Sequence, residues 1–250
     1  MIRTIIHGCC GRMGRIITEI CEKDEKIGVV AGVDAFGSAY ADYPVFRTLD
    51  ECPEADVIID FSNSTAIDGL LSYSVSKKIP VVVCTTGLSE EQMNALKEAS
   101  EKTAVLKSAN MSVGINLLEA LIAEAAPKLA AAGFDIEVVE KHHNQKVDAP
   151  SGTALALADA ANEALGNEYE YVYDRTVRRQ KRPVKEIGIS AVRGGSIVGD
   201  HDVIFAGQDE VITFSHRAYS RAVFGKGAVE AAKFLAGKDA GFYTMSDVLR

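Results

Sequence analysis

The chain has 250 residues, of which 47% are hydrophobic and 25% are charged, and its formal net charge is −8. This composition is typical of a soluble globular protein with one large or two modest domains. The acidic balance argues against nucleic acid as the main partner, because phosphate binding requires a basic surface, and no apolar run approaches the ~20 residues of a membrane span.

The cysteines indicate a reducing environment. They are odd in number, lie in the first third of the chain and form no C-x-x-C pair: Cys9, Cys10, Cys21, Cys52 and Cys84. No secretory signal is predicted. We therefore expect free thiols and a cytoplasmic location.

The chain opens with a pattern typical of dinucleotide binding. A predicted strand, Thr4–His7, runs into a glycine-rich turn and a helix, and a second strand, Ile27–Val33, ends at Asp34. Asp34 lies 20 positions after Gly14, close to the ~20 expected for the acid that holds an adenosine ribose. The spacing is G-x-x-G-x-x-G, so the glycines could alternatively serve only a tight turn. The strand, helix and acid together favour a cofactor turn comprising Gly8, Cys9, Cys10, Gly11, Arg12, Met13 and Gly14.

Strands and helices then continue to alternate. Apolar strands are predicted at Val57–Phe61, Pro80–Cys84 and Ala104–Leu106, with helices beginning after Ser62–Thr65 and at Ser89. This alternation predicts an α/β, Rossmann-type parallel sheet covered on both faces. Ligands of such sheets bind beyond the carboxyl ends of the strands. The residues expected on the cofactor side are Phe61, Cys84, Thr85, Thr86, Ser108, Ala109, Asn110 and Met111.

The stretch Glu140–Ala154 concentrates the groups that can perform chemistry. An alternating apolar run predicts a strand before it, and Pro150 and Ser151 predict the start of a helix that continues to Leu165. His142, His143 and Lys146 offer groups that carry protons, and the amides of the helix start offer an anion site. A solvated histidine pair before an ordinary helix cap is the alternative interpretation. No metal is expected, because adjacent histidines cannot easily face one ion.

The remaining segments complete a second domain. A long helix is predicted from Gly114 to about Ala132, followed by strands at Ile187–Arg193, Ser196–Val198, Val203–Ala206 and Val211–His216. Their short links favour hairpins, so we expect an α+β substrate and oligomerisation domain with a mixed sheet. The final helix, Arg221–Leu235, is expected to pack on the first domain. This divides the chain into residues 1–112, completed by 218–250, and residues 113–217.

The basic run at 175–185 contains no aromatic residues. A solvated loop or a subunit contact explains this run better than an RNA site.

These motifs resemble those of the dihydrodipicolinate reductase family over the whole chain. The stretch Glu140–Ala154 is the most specific of them. The others are the Gly8–Gly14 turn, Asp60-Phe61-Ser62, Thr85-Thr86-Gly87, Asn110–Asn116 and Arg193–His201.

The resemblance implies reduction of 4-hydroxy-tetrahydrodipicolinate by NAD(P)H, with loss of water, in the diaminopimelate route to lysine. It implies a homotetramer built on the second domain, with His142 as acid/base residue and Lys146 as proton donor. The substrate, a small cyclic dicarboxylate, would contact His143, Lys146, Ser151, Gly152 and Thr153. From the residues alone, either His142 or Lys146 could deliver the proton, and whether the dehydration is catalysed stays open.

The end of the second strand predicts the cofactor preference. Asp34 would repel a 2′-phosphate, and no basic residue follows it, since Ala35 and Phe36 come next. We expect NADH to be preferred and NADPH to be usable, with Arg12 as the nearest compensating cation. No metal cofactor is expected.

Two other functions are compatible with a nucleotide domain: another two-domain nicotinamide reductase, or a catalytically silent nucleotide sensor. The former would not by itself explain His142–Ala154, and the latter would need no protonatable pair beside an anion site.

Overall fold

The computed structural model describes residues 1–250, which form two compact units. The first unit comprises Met1–Val113 and Arg221–Arg250, and the second unit comprises Gly114–Ser220. A seven-stranded sheet and a five-stranded sheet confirm the predicted α/β class. No helix is both long enough and apolar enough to cross a membrane.

The N-terminal part alternates strands and helices as the sequence predicts. Its strands are β1 (Ile2–His7), β2 (Ile27–Val33), β3 (Val45–Phe46), β4 (Val57–Asp60), β5 (Val81–Val83) and β6 (Ala104–Lys107). Its helices are α1 (Arg12–Cys21), α2 (Ile67–Lys77) and α3 (Glu90–Ser100), with short 3₁₀ turns at Leu49–Glu51 and Ser64–Ala66. The start of α3 shows why the local sequence sufficed: the Ser89 hydroxyl accepts from the Gln92 amide at 3.2 Å, and the Gln92 side chain accepts from the Ser89 amide at 3.1 Å.

The rest of the chain supplies the other elements. They are α4 (Val113–Ala131), β7 (Asp135–His142), α5 (Gly152–Ala164), β8 (Glu170–Val172), β9 (Glu186–Arg193), β10 (Gly199–Ala206), β11 (Val211–Ala218), α6 (Ala222–Leu235), β12 (Gly241–Tyr243) and α7 (Met245–Val248). The sequence did not predict β3, β8 or β12. Each is only two or three residues long, too short for a readable alternation.

The sheet of the first unit is parallel throughout, in the order β12-β6-β5-β4-β1-β2-β3. One face packs its apolar side chains against α1 and α6, and the other packs against α2 and α3. Burial on both faces explains why β4 and β5 are apolar almost throughout. The prediction that the last long helix packs on the first domain is confirmed, because α6 lies against α1 and β4–β6.

The sheet of the second unit is mixed, in the order β11-β10-β7-β9-β8. Its central strand β7 is parallel to β9 and antiparallel to β10. Side chains of β7 alternate strictly, so Ile136, Val138, Glu140 and His142 all point to the buried face. That face packs against α4 and α5. Because the side chains of β7 alternate, the polar residues Glu140 and His142 continue the buried apolar row at the end of the strand.

The predicted strand Ser196–Val198 is wrong. These residues belong to the connection between β9 and β10, which lie on opposite sides of β7, so the chain crosses the end of β7. Gly195 has φ +52° in this crossing. Its carbonyl accepts from the Asn144 amide at 3.2 Å, and the Gly194 amide donates to the His142 carbonyl at 2.9 Å. Only β10 and β11 form the expected hairpin.

The basic run is held by acids of its own unit. Arg175 and Arg178 each contact the buried carboxylate of Glu186, at 2.6 and 2.9 Å. Arg182 pairs with Asp135 at 2.7 Å and with Glu137 at 3.0 Å. These arginines neutralise acids at the ends of β7 and β9, which supports a structural role for this loop.

Two glycines in helices of the first unit, Gly227 in α6 and Gly69 in α2, allow a test of how closely α6 packs against the backbone. A Cβ on Gly227 would lie 1.6 Å from the Met111 carbonyl oxygen, whereas a Cβ on Gly69 in α2 would meet nothing within 4 Å. We expect Gly227→Ala to lower the free energy of unfolding by about 2 kcal/mol or more, because rigid backbone must move. Gly69→Ala should raise it by about 0.5–1 kcal/mol. Urea denaturation measures both, and a similar effect of the two substitutions would contradict this packing.

Candidate active site

Most residues predicted to bind the cofactor line a cleft at the carboxyl edge of the first-unit sheet. Its volume is about 510 Å³, and its lining comprises Gly11, Arg12, Met13, Phe61, Cys84, Thr86, Ser108, Ala109, Asn110, Met111, Arg221 and Phe224. The last two come from the start of α6, and no local motif signalled them. Thr85 was predicted to lie here, but it is buried beneath the cleft.

A second cleft lies beside Asp34. It has a volume of about 490 Å³ and is lined by Cys10, Gly11, Arg15, Asp34, Phe36, Gly37, Ser38 and Tyr40. Gly11 belongs to both clefts, so together they offer an extended groove across the start of α1. The Phe36 side chain is 95% exposed at its rim.

The glycine-rich turn combines the two roles proposed for it. Gly8 has φ +81°, and Cβ atoms on Gly8 or Gly14 would lie 2.6 and 2.3 Å from backbone oxygens, so both glycines are required by the turn itself. Gly11 has more room, with its nearest contact at 3.3 Å, and faces both clefts. Cys9 and Gly14 are buried. The Cys9 side chain packs in the core of the first unit, with its sulfur 3.8 Å from that of Cys10.

Asp34 holds the loop that follows β2. Its carboxylate accepts hydrogen bonds from the amides of Phe36 at 3.0 Å, Gly37 at 2.8 Å and Cys10 at 3.1 Å. Partial burial opposes ionisation, but these amides outweigh it and keep the pKa of Asp34 below its usual value. The carboxylate is thus ionised and fixed against the glycine turn.

Two arginines other than the predicted Arg12 lie at Asp34: Arg47 donates to the Asp34 backbone carbonyl at 3.1 Å, and Arg15 lines the same cleft. Arg12 lines the other cleft, whereas Arg15 lies one helical turn further along α1 and lines the Asp34 cleft. The Arg15 guanidinium donates to the Cys10 carbonyl at 3.3 Å and lies 4.6 Å from the centre of the Tyr40 ring. It is therefore already held by the wall of the cleft.

A buried polar cluster lies at the carboxyl ends of β1, β4 and β6. Asp60 is fully buried; it contacts His7 Nδ1 at 2.9 Å and accepts from the Ser62 hydroxyl at 2.6 Å. Burial alone would raise the pKa of Asp60, but these partners keep it low. Lys107 donates to the Thr85 carbonyl at 2.9 Å, and burial lowers its pKa. The cluster fixes the strand ends under the first cleft.

The second unit is organised around one buried carboxylate, that of Glu140. The side chain is 0% exposed. It accepts two hydrogen bonds from Arg193, each at 2.7 Å, one from the Ser151 amide at 2.9 Å, and one from His142 Nδ1 at 2.6 Å. Burial opposes ionisation, but Arg193 and the other donors lower the pKa of Glu140 below its usual value. Glu140 therefore joins β7, β9 and the start of α5.

This network fixes the proton state of His142. An ionised carboxylate can only accept, so Nδ1 must carry the proton that is given to Glu140. Burial lowers the pKa of His142, and the Glu140 contact offsets this only in part. His142 is thus neutral at pH 7, and its other ring nitrogen, Nε2, is an acceptor. The His201 ring packs edge-on against it, with centroids 5.1 Å apart.

Ser151 is a structural residue, contrary to the expectation that it contacts substrate. It is buried, and its hydroxyl accepts from the Ala154 amide at 3.1 Å while contacting His201 Nε2 at 3.1 Å. Because its amide is bound to Glu140, its polar groups are occupied within the unit.

Lys146 and the start of α5 provide positive charge near His142. The Lys146 ammonium lies 2.8 Å from an Asp148 carboxylate oxygen, and the side chain is only partly exposed. Gly152 is exposed, a Cβ there would meet nothing within 4 Å, and its amide donates to the Asp148 carboxylate, so an acidic ligand that replaces Asp148 can reach this amide. His143 and Thr153 are partly exposed on the same segment. The arrangement can bind an acidic molecule beside a cation that can release a proton.

The sequence motifs include Glu140, Arg193 and His201, but no role was predicted for these three residues. The alternation of β7 was a usable signal for Glu140, since it places that residue on the same face as His142. No local pattern indicates that Arg193 and His201 reach the same point from other strands.

Comparison with known proteins covers both units. Residues 2–111 match the family model "Dihydrodipicolinate reductase, N-terminus", and residues 114–249 match "Dihydrodipicolinate reductase, C-terminus".

Curated relatives span the whole chain. It is 55% identical to the 4-hydroxy-tetrahydrodipicolinate reductase of Caldanaerobacter subterraneus subsp. tengcongensis, covering 100% of this chain and 99% of the relative. The Clostridium tetani protein of the same name is 49% identical, covering 100% and 97%.

Solved structures resemble the chain as well. The dipicolinate-bound dihydrodipicolinate reductase from Paenisporosarcina sp. TG-14 has a TM-score of 0.79 and 25% identity, covering 98% of this chain and 97% of that one. A C. glutamicum DAP dehydrogenase shares the fold, with a TM-score of 0.59 and 14% identity, covering 98% and 93%.

The buried His201 predicts an acid-sensitive fold. Burial, followed by the neighbouring His142, lowers the pKa of His201 from 6.5 to about 4. Between these values the unfolded chain binds the extra proton and the folded protein does not, so stability falls as the pH drops from about 6.5 to about 4. The contribution of His201 is up to about 3 kcal/mol.

Denaturation curves across this range should therefore show a shallower pH dependence for His201→Gln than for the wild type. His143→Gln, at a partly exposed position, is the control. Buried carboxylates with lowered pKa act mainly below this window, and burial also lowers the pKa of His142 and of His216, whose contributions are common to the wild type and the variant. Parallel pH profiles for wild type and His201→Gln would refute the argument.

Proposed function

The chain belongs to the dihydrodipicolinate reductase family, and we propose that its two units divide the reduction of 4-hydroxy-tetrahydrodipicolinate to tetrahydrodipicolinate between them. The protein is an NAD(P)H-dependent oxidoreductase of the diaminopimelate route of lysine biosynthesis. In the proposed division the first unit binds the dinucleotide and the second binds the cyclic dicarboxylate. Its biosynthetic role and its free thiols support a cytoplasmic location.

The geometry of the first unit fits a dinucleotide. Gly11 is the N-cap residue of helix α1 and provides no side-chain cap, and the first turn contains no acid. The free amides of this turn therefore suit a pyrophosphate. The clefts on either side of Gly11 offer room for the nicotinamide and adenosine halves. When bound, the nicotinamide supplies the hydride.

The observation that carries the assignment of the second unit is the Glu140–His142 hydrogen bond within a buried network beside Lys146. Reduction of a conjugated double bond needs a proton at the atom next to the one that receives hydride. His142 is neutral, and its only ring proton is given to Glu140. Lys146 is an ammonium with three donor hydrogens. We therefore assign proton delivery to Lys146, while His142 Nε2 accepts a hydrogen bond from the substrate or a water.

Two positive groups suit the two carboxylates of the substrate. Asp148 pairs with Lys146 and with the Gly152 amide, and the substrate would displace it, with one carboxylate on Lys146 and the other at Gly152 and Thr153. His143 lies on the same segment and would complete the contacts. In this scheme Ser151, Glu140 and Arg193 position these groups without touching the substrate.

Substitution at the two proposed catalytic positions should separate chemistry from nucleotide binding. We expect Lys146→Ala to lower turnover by ~10²–10⁴-fold, the usual contribution of general acid catalysis, and His142→Gln to lower it by at least about tenfold because the acceptor Nε2 is lost. NADH affinity, measured by fluorescence titration, should stay within about twofold because the altered residues lie in the second unit. Lys146→Ala should also raise KM, since a carboxylate loses its cation.

The assay forms the substrate in place from pyruvate and aspartate semialdehyde and follows NADH consumption. Lys141→Ala is the matched control, because Lys141 lies on the opposite face of β7. A loss below tenfold in both test variants would refute their catalytic roles.

The cofactor preference is proposed from the charges around Asp34. A 2′-phosphate would face this carboxylate, and Arg15 is held by Tyr40 and the Cys10 carbonyl, so we expect NADH to be preferred and NADPH to be accepted. Asp34→Ala combined with Ala35→Arg should move the kcat/KM ratio toward NADPH by at least tenfold. Steady-state kinetics at low and moderate salt measures this. An unchanged ratio would mean that Asp34 does not contact the ribose.

We also propose that the protein is a homotetramer assembled through the sheet of the second unit. Helices α4 and α5 cover the face that carries Ile136 and Val138. The opposite face carries Val139, Ile204 and Val211, and the last of these is 61% exposed. The same face also carries charged side chains, among them Glu137 and Asp202, and an uncovered sheet face of this mixed kind is a usual site of association.

Sedimentation should give about four times the 26.8 kDa chain mass at micromolar concentration. Ile204→Lys should shift the protein toward smaller species, because it places a charge in the proposed interface. Val177→Lys, an exposed position outside the sheet, is its control. A monomeric wild-type protein would exclude this assembly.

A further inference from the structure

Two adjacent thiols in the glycine-rich turn lie beside the Asp34 carboxylate. The Sγ atoms of Cys9 and Cys10 are 3.8 Å apart. These two sulfurs and a carboxylate oxygen of Asp34 all lie within 4.8 Å of one another. Cys9 is buried, whereas Cys10 lines the Asp34 cleft, so the group can be reached from solvent on one side.

A disulfide is not the natural use of this pair. Disulfides require the sulfurs to approach to about 2.0 Å and the Cα atoms to lie at least about 4.4 Å apart. Neighbouring Cα atoms across a trans peptide are only about 3.8 Å apart.

The same distances suit a thiophilic metal ion. Zinc binds thiolate sulfur at about 2.3 Å in tetrahedral sites, and two such sulfurs are then about 3.8 Å apart. Asp34 supplies an oxygen ligand that is already ionised and fixed by the amides of Cys10, Phe36 and Gly37. Such preorganisation of a ligand by hydrogen bonds strengthens metal sites. The fourth position would face the cleft and hold water.

We propose that Cys9, Cys10 and Asp34 form a binding site for a thiophilic divalent cation such as Zn²⁺, and that its occupation excludes the dinucleotide. Binding breaks two S–H bonds, releases both protons to solvent and forms two metal–sulfur bonds, with no change of oxidation state. The ion is an inhibitor and takes no part in the reaction.

Exclusion follows because metal and cofactor need the same groups. The proposal rests here on the proposed function, which gives Asp34 to the ribose and the turn to the pyrophosphate. The Asp34 carboxylate already accepts three amide hydrogen bonds, so about one of its four acceptor sites remains for either zinc or a ribose hydroxyl. Thermodynamic linkage then requires each ligand to weaken the other by the same factor.

Direct metal titration tests the site without using enzyme activity. The full-length, reduced, cofactor-free protein is titrated with Co²⁺, whose thiolate complexes absorb in the near ultraviolet, and Zn²⁺ affinity is measured by competition with a chromophoric chelator. We expect one ion per chain with a thiolate absorption band. Cys10→Ala and Cys9→Ala should each weaken Zn²⁺ binding at least tenfold, as should Asp34→Asn.

Cys52→Ser is the control, because Cys52 is a partly exposed thiol elsewhere in the first unit and should leave binding unchanged. Cys10→Ala carries the test if the buried Cys9 variant fails to fold, which a thermal melt reveals. Absence of the thiolate band, or unchanged affinity in Cys10→Ala, overturns the proposed site.

Competition with NADH tests the exclusion separately. NADH at about 100 times its Kd should weaken the apparent Zn²⁺ affinity by about 100-fold. Thiol-dependent binding that NADH leaves unchanged would support the metal site and overturn the exclusion. It would also place the nucleotide away from this turn, so failure of the cofactor assignment is distinguishable from failure of the metal site.

Discussion

The buried carboxylate of Glu140 is the interaction on which the second unit depends. A charged group with no solvent contact is stable only when its partners replace the lost hydration. Here four hydrogen bonds do so, and they come from the neighbouring strand, from the start of α5 and from His142. The requirement to satisfy one buried charge therefore also fixes the position of the helix start and of the His142 imidazole.

The same network separates the roles of two groups that both carry protons in principle. His142 is buried against a carboxylate and stays neutral, whereas Lys146 lies on the loop beyond the strand and is paired with the exposed Asp148. Burial beside an ionised carboxylate makes the Nε2 atom of His142 an acceptor, whereas the Lys146 ammonium is a donor by residue type. The anion site at the start of α5 follows from ordinary helix geometry once Ser151 is held by Glu140.

In the first unit the corresponding constraint is the tight turn between β1 and α1. Close backbone contacts require glycine at positions 8 and 14. The resulting turn directs Gly11, Cys10 and the first amides of α1 toward the two clefts. Asp34 joins this turn to the loop after β2. The turn does not require cysteine at positions 9 and 10. Because both sulfurs lie close to the Asp34 carboxylate, we propose metal binding as a second property of the turn.

The sequence by itself determined the α/β class, the burial of β4 and β5 on both faces of the sheet, the cap of α3 and the reactive groups of Glu140–Ala154. These features depend on local periodicity and capping, which neighbouring residues encode. It could not determine that Ser196–Val198 is a crossing, that the polar groups of Ser151 are occupied, or that Arg47 and Arg15 lie at Asp34 while Arg12 lines the other cleft. Nor could it bring Arg193 and His201 to Glu140. Only the tertiary structure decided these points, because each depends on which distant segments a buried polar group or a strand end meets when the sheets close.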